Sequence, residues 1–393
     1  MRKLKATWVA PISQKPIRNG MIVLDDHDAI LYVGSHTEDF PNVPCEIFEG
    51  LLCPGFINTH CHLELSHMKD VAPTGTGLLP FIKTVVGQRE VDPSLVLKKI
   101  EEADREMWEA GIVAVGDICN KADTASTKSK SKIRYYSFIE MFDFHQSSQA
   151  LKTYKEYTIA YDQQYSDTLN PKICVPHAPY SVSPELFKLM NQHNENELGT
   201  ISIHNQETPH EIALFQDRSG DFPTFFGQFG MDYSHFPFTE QSPVDYAIAN
   251  MDSRHRTLWV HNTLTTANDI QKATHWNPNS FWATCPNANL YIENRLPRYQ
   301  TFIDERAVMT IGTDSLTSNW QLSILEEIKT ILKYQSSLPF MEVLTWGTLN
   351  GAKALGFSDR LGSLEKGKTP GINLITQTSP DRLDHLAQIR KIC

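Results

Sequence analysis

The sequence lacks any long hydrophobic run. Apolar stretches such as Ile22–Leu24 and Val113–Val115 fall far short of the roughly 20 residues needed to span a bilayer. The basic opening MRKLKATWVAPISQKP is followed by no apolar stretch of signal-peptide length. Positive charge is in deficit: 36 Lys and Arg stand against 46 Asp and Glu, a net charge of −10. A surface of that sign repels phosphate backbones and anionic headgroups, which argues against a nucleic acid or a membrane as partner. Cysteine is sparse and odd in number, seven residues at scattered positions with no Cys-x-x-Cys pair. That excludes a zinc ribbon and a disulfide framework, and it fits a reducing, cytoplasmic setting. Internal repeats and low-complexity segments are also missing.

Apolar residues, in contrast, make up 40% of a 393-residue chain and run through its whole length, enough for a substantial core. The first fifty residues read as short strands separated by turn-formers such as Arg18-Asn19-Gly20. Beyond Leu51 the texture changes to apolar runs alternating with stretches at helical spacing. Eight of those runs are expected strands: Leu51–Asn58, Ile112–Ile118, Ile133–Met141, Ile173–Pro176, Thr200–His204, Thr257–His261, Ser280–Thr284 and Val308–Gly312. Between two of them, residues 94–110 have helical spacing, with Leu95, Leu97, Ile100, Ala103, Met107 and Trp108 expected near one face. Ser183-Pro184-Glu185 is a helix start, with serine as the cap. The class expected is α/β: a (β/α)8 TIM barrel over residues 51–352, beside a small β-sandwich built from both termini, 1–50 and 353–393.

Chemistry concentrates at the strand ends. His60 and His62 close the first run, and alternation points both imidazoles the same way. His177 and Ser181 follow the fourth, His204 and Glu207 the fifth, His261 the sixth and Asp314 the eighth. In a barrel that end is where active sites lie. Nitrogens from His60, His62 and His204 with an oxygen from Asp314 suit one divalent ion, zinc first, with iron or manganese as the other fits. Each residue also has an ordinary reading, as a cap or as a satisfied buried histidine. Their shared place in the strand–helix cycle is what favours a site.

Pro54-Gly55-Phe56-Ile57-Asn58-Thr59-His60-Cys61-His62 resembles the first-strand signature of the amidohydrolase superfamily. His204-Asn205-Gln206-Glu207 resembles its His-x-x-Glu, Cys285-Pro286-Asn287-Ala288-Asn289 its Cys-Pro-x-Ser-Asn run, and Gly312-Thr313-Asp314-Ser315 its Gly-Thr-Asp-Ser run. The branch most resembled holds cytosine, guanine, S-adenosylhomocysteine and aminodeoxyfutalosine deaminases together with triazine hydrolases. Binuclear branches place a lysine late on strand four, where this chain reads Ile173-Cys174-Val175-Pro176-His177, so the resemblance implies one metal ion.

The resemblance further implies the roles. His60, His62, His204 and Asp314 hold the ion, Asp314 and His261 orient and deprotonate its water, and Glu207 relays a proton to the ring nitrogen beside the attacked carbon. The expected reaction is hydrolytic deamination of an amino-substituted nitrogen heterocycle or nucleoside-like derivative, with 6-aminodeoxyfutalosine or a related 6-aminopurine as favourite. His177, Glu64, Ser181 and Arg295 are the candidate substrate contacts. Two alternatives stay open: a hydrolase of the same fold acting on a chloro- or alkylamino-triazine or a cyclic amide, and a catalytically inactive barrel scaffold. The expected partner is a small-molecule substrate, and a homodimer is compatible with such barrels. An aromatic-rich stretch, residues 221–238, reads either as a lid over a flat ring or as an interface.

Overall fold

A computed structural model describes residues 1–233, 236 and 238–393. Two of its sheets are parallel and four-stranded. The first runs β1 (Phe56–Cys61), β2 (Ile112–Cys119), β3 (Arg134–Met141) and β4 (Lys172–Pro176). The second runs β5 (Thr200–Asn205), β6 (Arg256–His261), β7 (Ser280–Thr284) and β8 (Val308–Ile311). Every residue of β1, β2, β5 and β7 is buried, as continuous apolar runs covered on both faces require.

The two sheets touch at both edges. On one side Cys61 and Asp314 form a parallel bridge, and Thr313 N donates to His60 O at 3.0 Å. On the other, His204 N donates to His177 O at 2.9 Å. The Asn58 side chain adds a strap between first and last strands. Its Nδ2 donates to Thr313 Oγ1 at 2.7 Å, and its Oδ1 accepts from Thr313 N at 3.1 Å.

Strands from both chain ends share a seven-stranded sheet, in which Cys45–Pro54 lies between Arg2–Val9 and Ile372–Ile375. This corrects the expected start of the first parallel strand. Leu51–Pro54 pairs with Ile372–Ile375 in the terminal sheet, and the parallel strand begins at Phe56. Gly55 makes the transfer because the chain is crowded there. A Cβ at that position would lie 2.3 Å from Val113 Cγ1 and 2.7 Å from the Pro370 carbonyl.

Among the helices, α1 covers Leu78–Gln88 and α2 covers Pro93–Glu109, capped by Asp92. Val96, Ile100, Ala103 and Met107 form the buried stripe of α2, whereas Leu95 and Leu97 are each 43% exposed. The expected face was thus too wide; the helical repeat admits only positions 96, 100, 103 and 107. Helix α3 (Pro184–His193) starts as expected, with the Ser183 side chain accepting from Leu186 N. Helices α4 (Pro209–Asp217), α5 (Phe222–Gly227), α6 (Pro286–Glu293) and α7 (Ile324–Tyr334) follow. Among the described residues no helix is long and apolar enough to cross a membrane.

Candidate active site

The C-terminal ends of the parallel strands gather the histidines foreseen in the sequence. His60 Nε2 lies 3.7 Å and His62 Nε2 3.4 Å from Asp314 Oδ1. The Nε2 atoms of His62 and His204 are 3.3 Å apart. His261 closes the group, its ring stacked on His204 with centroids 5.4 Å apart. These side chains are almost wholly buried. Burial lowers the imidazole pKa values, that of His62 to about 3, so the rings are neutral at ordinary pH. Burial works the other way on Asp314, but contact with His60 and the neighbouring imidazoles hold its carboxyl well below the carboxylate range.

Hydrogen bonding fixes which nitrogen carries each proton. His204 Nδ1 donates to the His177 carbonyl at 2.8 Å, and His261 Nδ1 donates to Asn289 Oδ1 at 2.8 Å. Both rings therefore present Nε2 lone pairs to the centre. Neither nitrogen of His60 has a hydrogen-bond partner, although both are buried. Ser318 Oγ occupies Asp314 Oδ2 at 2.7 Å, leaving Oδ1 to the imidazoles. Neutral imidazoles gathered on an ionised carboxylate make a donor set for a cation, and three nitrogens with one oxygen fit zinc. A second group, Glu140, His177 and His204, is also close enough for a metal. There, however, His204 offers Nδ1, whose hydrogen already goes to the His177 carbonyl.

Glu207 Oε2 lies 3.7 Å from His261 Nε2. Its Oε1 is buried with no partner. Burial, reinforced by repulsion from Asp314, raises this carboxyl well above the carboxylate range, which favours its protonated form. The chain accepts backbone strain here: His261 (φ 71°), Asp314 (φ 57°) and Gln206 (φ 47°) all sit in the left-handed region. Each such residue costs about 1–3 kcal/mol, and that cost clusters at working sites.

A cavity of about 170 Å³ opens beside the cluster. Its lining combines the cluster residues His62, His204, Glu207, His261 and Asp314 with the apolar Leu78, Phe81, Ile82, Val85 and Phe226. Glu64, Arg89, Asn120, Glu140 and His177 add polar groups to it. Glu64 is 3% exposed. It accepts from Arg89 Nη2 at 3.2 Å and from Asn120 N at 3.0 Å, which removes the solvated-loop reading. His177 lines the cavity while its Nδ1 meets Ser181 Oγ at 2.7 Å, so Ser181 acts only through that ring. Arg295 is exposed and does not line the cavity. Within the aromatic stretch, Phe222, Phe225, Phe226, Tyr233 and Phe236 are buried and Phe226 faces the cavity, whereas Phe229 is 40% exposed. Ser234, His235 and Pro237 of that stretch lie outside the described residues.

Sequence reasoning missed Glu140, Arg89 and Asn120. Glu140 carried a usable signal, because it stands near the end of the third expected strand, the same point of the cycle as the histidines. Arg89 carried none, since only the docking of α1 brings it to Glu64. The buried pair Asp117–Lys128, 2.6 Å apart, was missed as well. Asp117 also accepts from Leu63 N at 2.8 Å, next to His62.

The sequence model of the amidohydrolase family matches residues 51–391. The chain belongs to the amidohydrolase family. Among curated proteins it is similar to an adenosine deaminase of Helicobacter pylori, 25% identical over 365 residues that cover 90% of this chain and 87% of the relative. Among solved structures it is similar to the Helicobacter pylori aminofutalosine deaminase in complex with methylthio-coformycin, with TM-score 0.80 and 22% identity over 96% of this chain and 93% of that one. It is also similar to atrazine chlorohydrolase TrzN from Arthrobacter aurescens TC1 complexed with zinc. There the TM-score is 0.76 and the identity 17%, over 95% of this chain and 86% of that one. These structural likenesses fix the amidohydrolase fold, within which the cluster described above is the candidate centre.

Proposed function

We propose that this chain is a hydrolytic deaminase of a 6-aminopurine or a nucleoside-like derivative of one, with 6-aminodeoxyfutalosine as the named favourite. One observation carries the reading: the buried Glu207 carboxyl stands 3.7 Å from His261 Nε2 at the edge of the histidine–aspartate cluster, with its Oε1 unpartnered. An amidine must gain a ring proton before water can add to its carbon, and Glu207 is placed to give one. The similarity to an adenosine deaminase over nine-tenths of the chain supports the same reaction class.

His60, His62, His204 and Asp314 would hold one zinc ion, which when bound supplies Lewis-acid charge and acidifies water. The remaining work falls to the chain's own groups. Glu207 delivers its proton to the ring nitrogen beside the attacked carbon. Asp314, ionised, and His261, neutral with its lone pair inward, take the proton released by the adding water. That proton then passes to the departing amine, which leaves as ammonia, while the remaining hydroxyl proton returns to Glu207 as the carbonyl forms. The apolar lining of the cavity, from Leu78 to Phe226, keeps bulk water from the reacting atoms. Glu64, Glu140 and His177 are the substrate contacts of this reading, and the aromatic stretch its lid.

The same reading takes the eight parallel strands as a closed barrel within residues 51–352, supported by the edge contacts at Cys61–Asp314 and His177–His204. The sandwich beside it takes residues 353–393 and, because Leu51–Pro54 pairs with Ile372–Ile375, residues 1–54 rather than 1–50; the seven free cysteines accord with the cytoplasm.

The test is ammonia release by zinc-loaded protein from cytosine, guanine, adenosine, S-adenosylhomocysteine, aminodeoxyfutalosine and a chlorotriazine. Release from a 6-aminopurine, lost in Glu207→Gln, is the expected result. Chloride release from the triazine with no ammonia from any purine would overturn it.

A further inference from the structure

Glu327, on α7, is fully buried behind the site and does not line the cavity. Its carboxylate meets three N–H donors. Oε2 accepts from Asn287 N at 2.9 Å, and Oε1 accepts from Asn287 Nδ2 at 3.0 Å and Asn319 Nδ2 at 2.7 Å. Its hydrogen-bond partners among the described residues are all amides. Burial alone pushes the Glu327 carboxyl up, and the three N–H donors, which only the ionised form accepts in full, oppose that shift.

The two asparagines lead to different parts of the proposed machinery. Asn287 lies in the first turn of α6, two residues before Asn289, whose Oδ1 receives the His261 Nδ1 proton. Asn319 Nδ2 also donates to the carbonyl of Thr313, the residue before Asp314, at 2.8 Å. One carboxylate therefore ties the start of α6 to the loop after β8. Helix α6 sets the tautomer of His261 through Asn289; the loop carries the strained backbone of Asp314.

We infer that Glu327 is a positioning residue, which holds Asn289 and Asp314 in register so that His261 Nε2 and Asp314 Oδ1 face the same reacting atoms. The inference rests on the deaminase reading for its kinetic consequence and on geometry alone for its structural one. Only an acceptor satisfies three donors. A glutamine in its place must turn its own N–H groups towards an asparagine N–H, and the register is lost.

The first variant is Glu327→Gln, compared with wild type as zinc-loaded protein. kcat is expected to fall about 10–100-fold, the range seen when outer partners of a metal centre are removed, while KM moves far less. The deciding readout is the ¹⁵N signal of the His261 ring in zinc-free protein, assigned by its disappearance in His261→Gln. Wild type should show the Nδ1–H tautomer, and Glu327→Gln a mixture of both tautomers.

If Glu327→Gln does not fold, Asn319→Ala and Asn287→Ala test the two arms separately. Asn319→Ala is expected to weaken zinc binding and leave the His261 tautomer alone; Asn287→Ala should do the reverse. An unchanged His261 signal in Glu327→Gln overturns the inference, whether kcat falls or not. So does the same effect from both alanine variants. The ring signal needs no turnover, so wild-type protein that releases no ammonia defeats the deaminase reading without deciding this one.

Discussion

His62 and His204 face each other nitrogen to nitrogen, Nε2 to Nε2 at 3.3 Å, across 142 residues of chain. His204 has already given its Nδ1 hydrogen to the His177 carbonyl, and burial keeps both rings neutral. The His204 Nε2 lone pair thus meets either a hydrogen on His62 Nε2 or, as proposed, a cation held by both nitrogens. Stripping with a chelator is therefore expected to abolish turnover and lower Tm, and added zinc to restore both. His62→Ala should hold well under one equivalent of zinc by elemental analysis. Full zinc occupancy in that variant would exclude His62 as a ligand.

Glu207→Gln separates proton relay from metal binding. The amide keeps the shape of the side chain but has no acidic proton. We expect kcat to fall at least about 10²-fold, the usual worth of general acid–base help. Zinc content should match wild type. Loss of zinc together with activity would make Glu207 a ligand instead.

Glu211 gives stability a pH dependence. It is fully buried, its Oε2 accepts from Glu207 N at 3.1 Å, and its Oε1 has no partner. Burial pushes its carboxyl up to about 8. A carboxyl raised in the folded state favours the protonated fold. Its contribution is thus complete below the ordinary carboxylate pKa and is lost as pH rises through about 8. Glu211→Gln should flatten the loss of urea resistance between mildly acidic and mildly alkaline buffer. Parallel profiles for the two proteins would show that Glu211 ionises as freely in the fold as outside it.

Lys128 and Asp117 are both wholly inaccessible at 2.6 Å. Removing one partner strands the other charge, a loss of about 3–5 kcal/mol. Lys128→Met is expected to show that loss in urea unfolding, and Lys128→Met with Asp117→Asn to regain part of it. Equal stability of the single and double variants would mean that the pair is not coupled.

The strand ends were legible because period and composition agree there. Runs such as Thr200–His204 are apolar and short, and a histidine at the end of one is conspicuous. The transfer at Gly55 was hidden, since Leu51–Pro54 and Phe56–Cys61 form one unbroken apolar stretch, and only pairing with Ile372–Ile375 divides it. Leu95 and Leu97 misled for a related reason: an apolar side chain is no proof of burial. Asn289 stood out in the Cys285–Asn289 run, but the pairings that tune the centre were not visible. Asn289 takes the His261 proton from 28 residues away, and Lys128 reaches Asp117 from the helix region beyond β2. Such partners are chosen by packing, which leaves no spacing to read.

The strap from Asn58 to Thr313 joins residues 255 positions apart. A chain emerging from the ribosome thus carries three of the four proposed ligands long before it carries the fourth. Until residue 314 folds against the first strand, His60, His62 and His204 lack the carboxylate that completes them. On the proposed reading, zinc capture is a late event in the life of each molecule, and retained metal would mark the copies that have brought their first and last strands together.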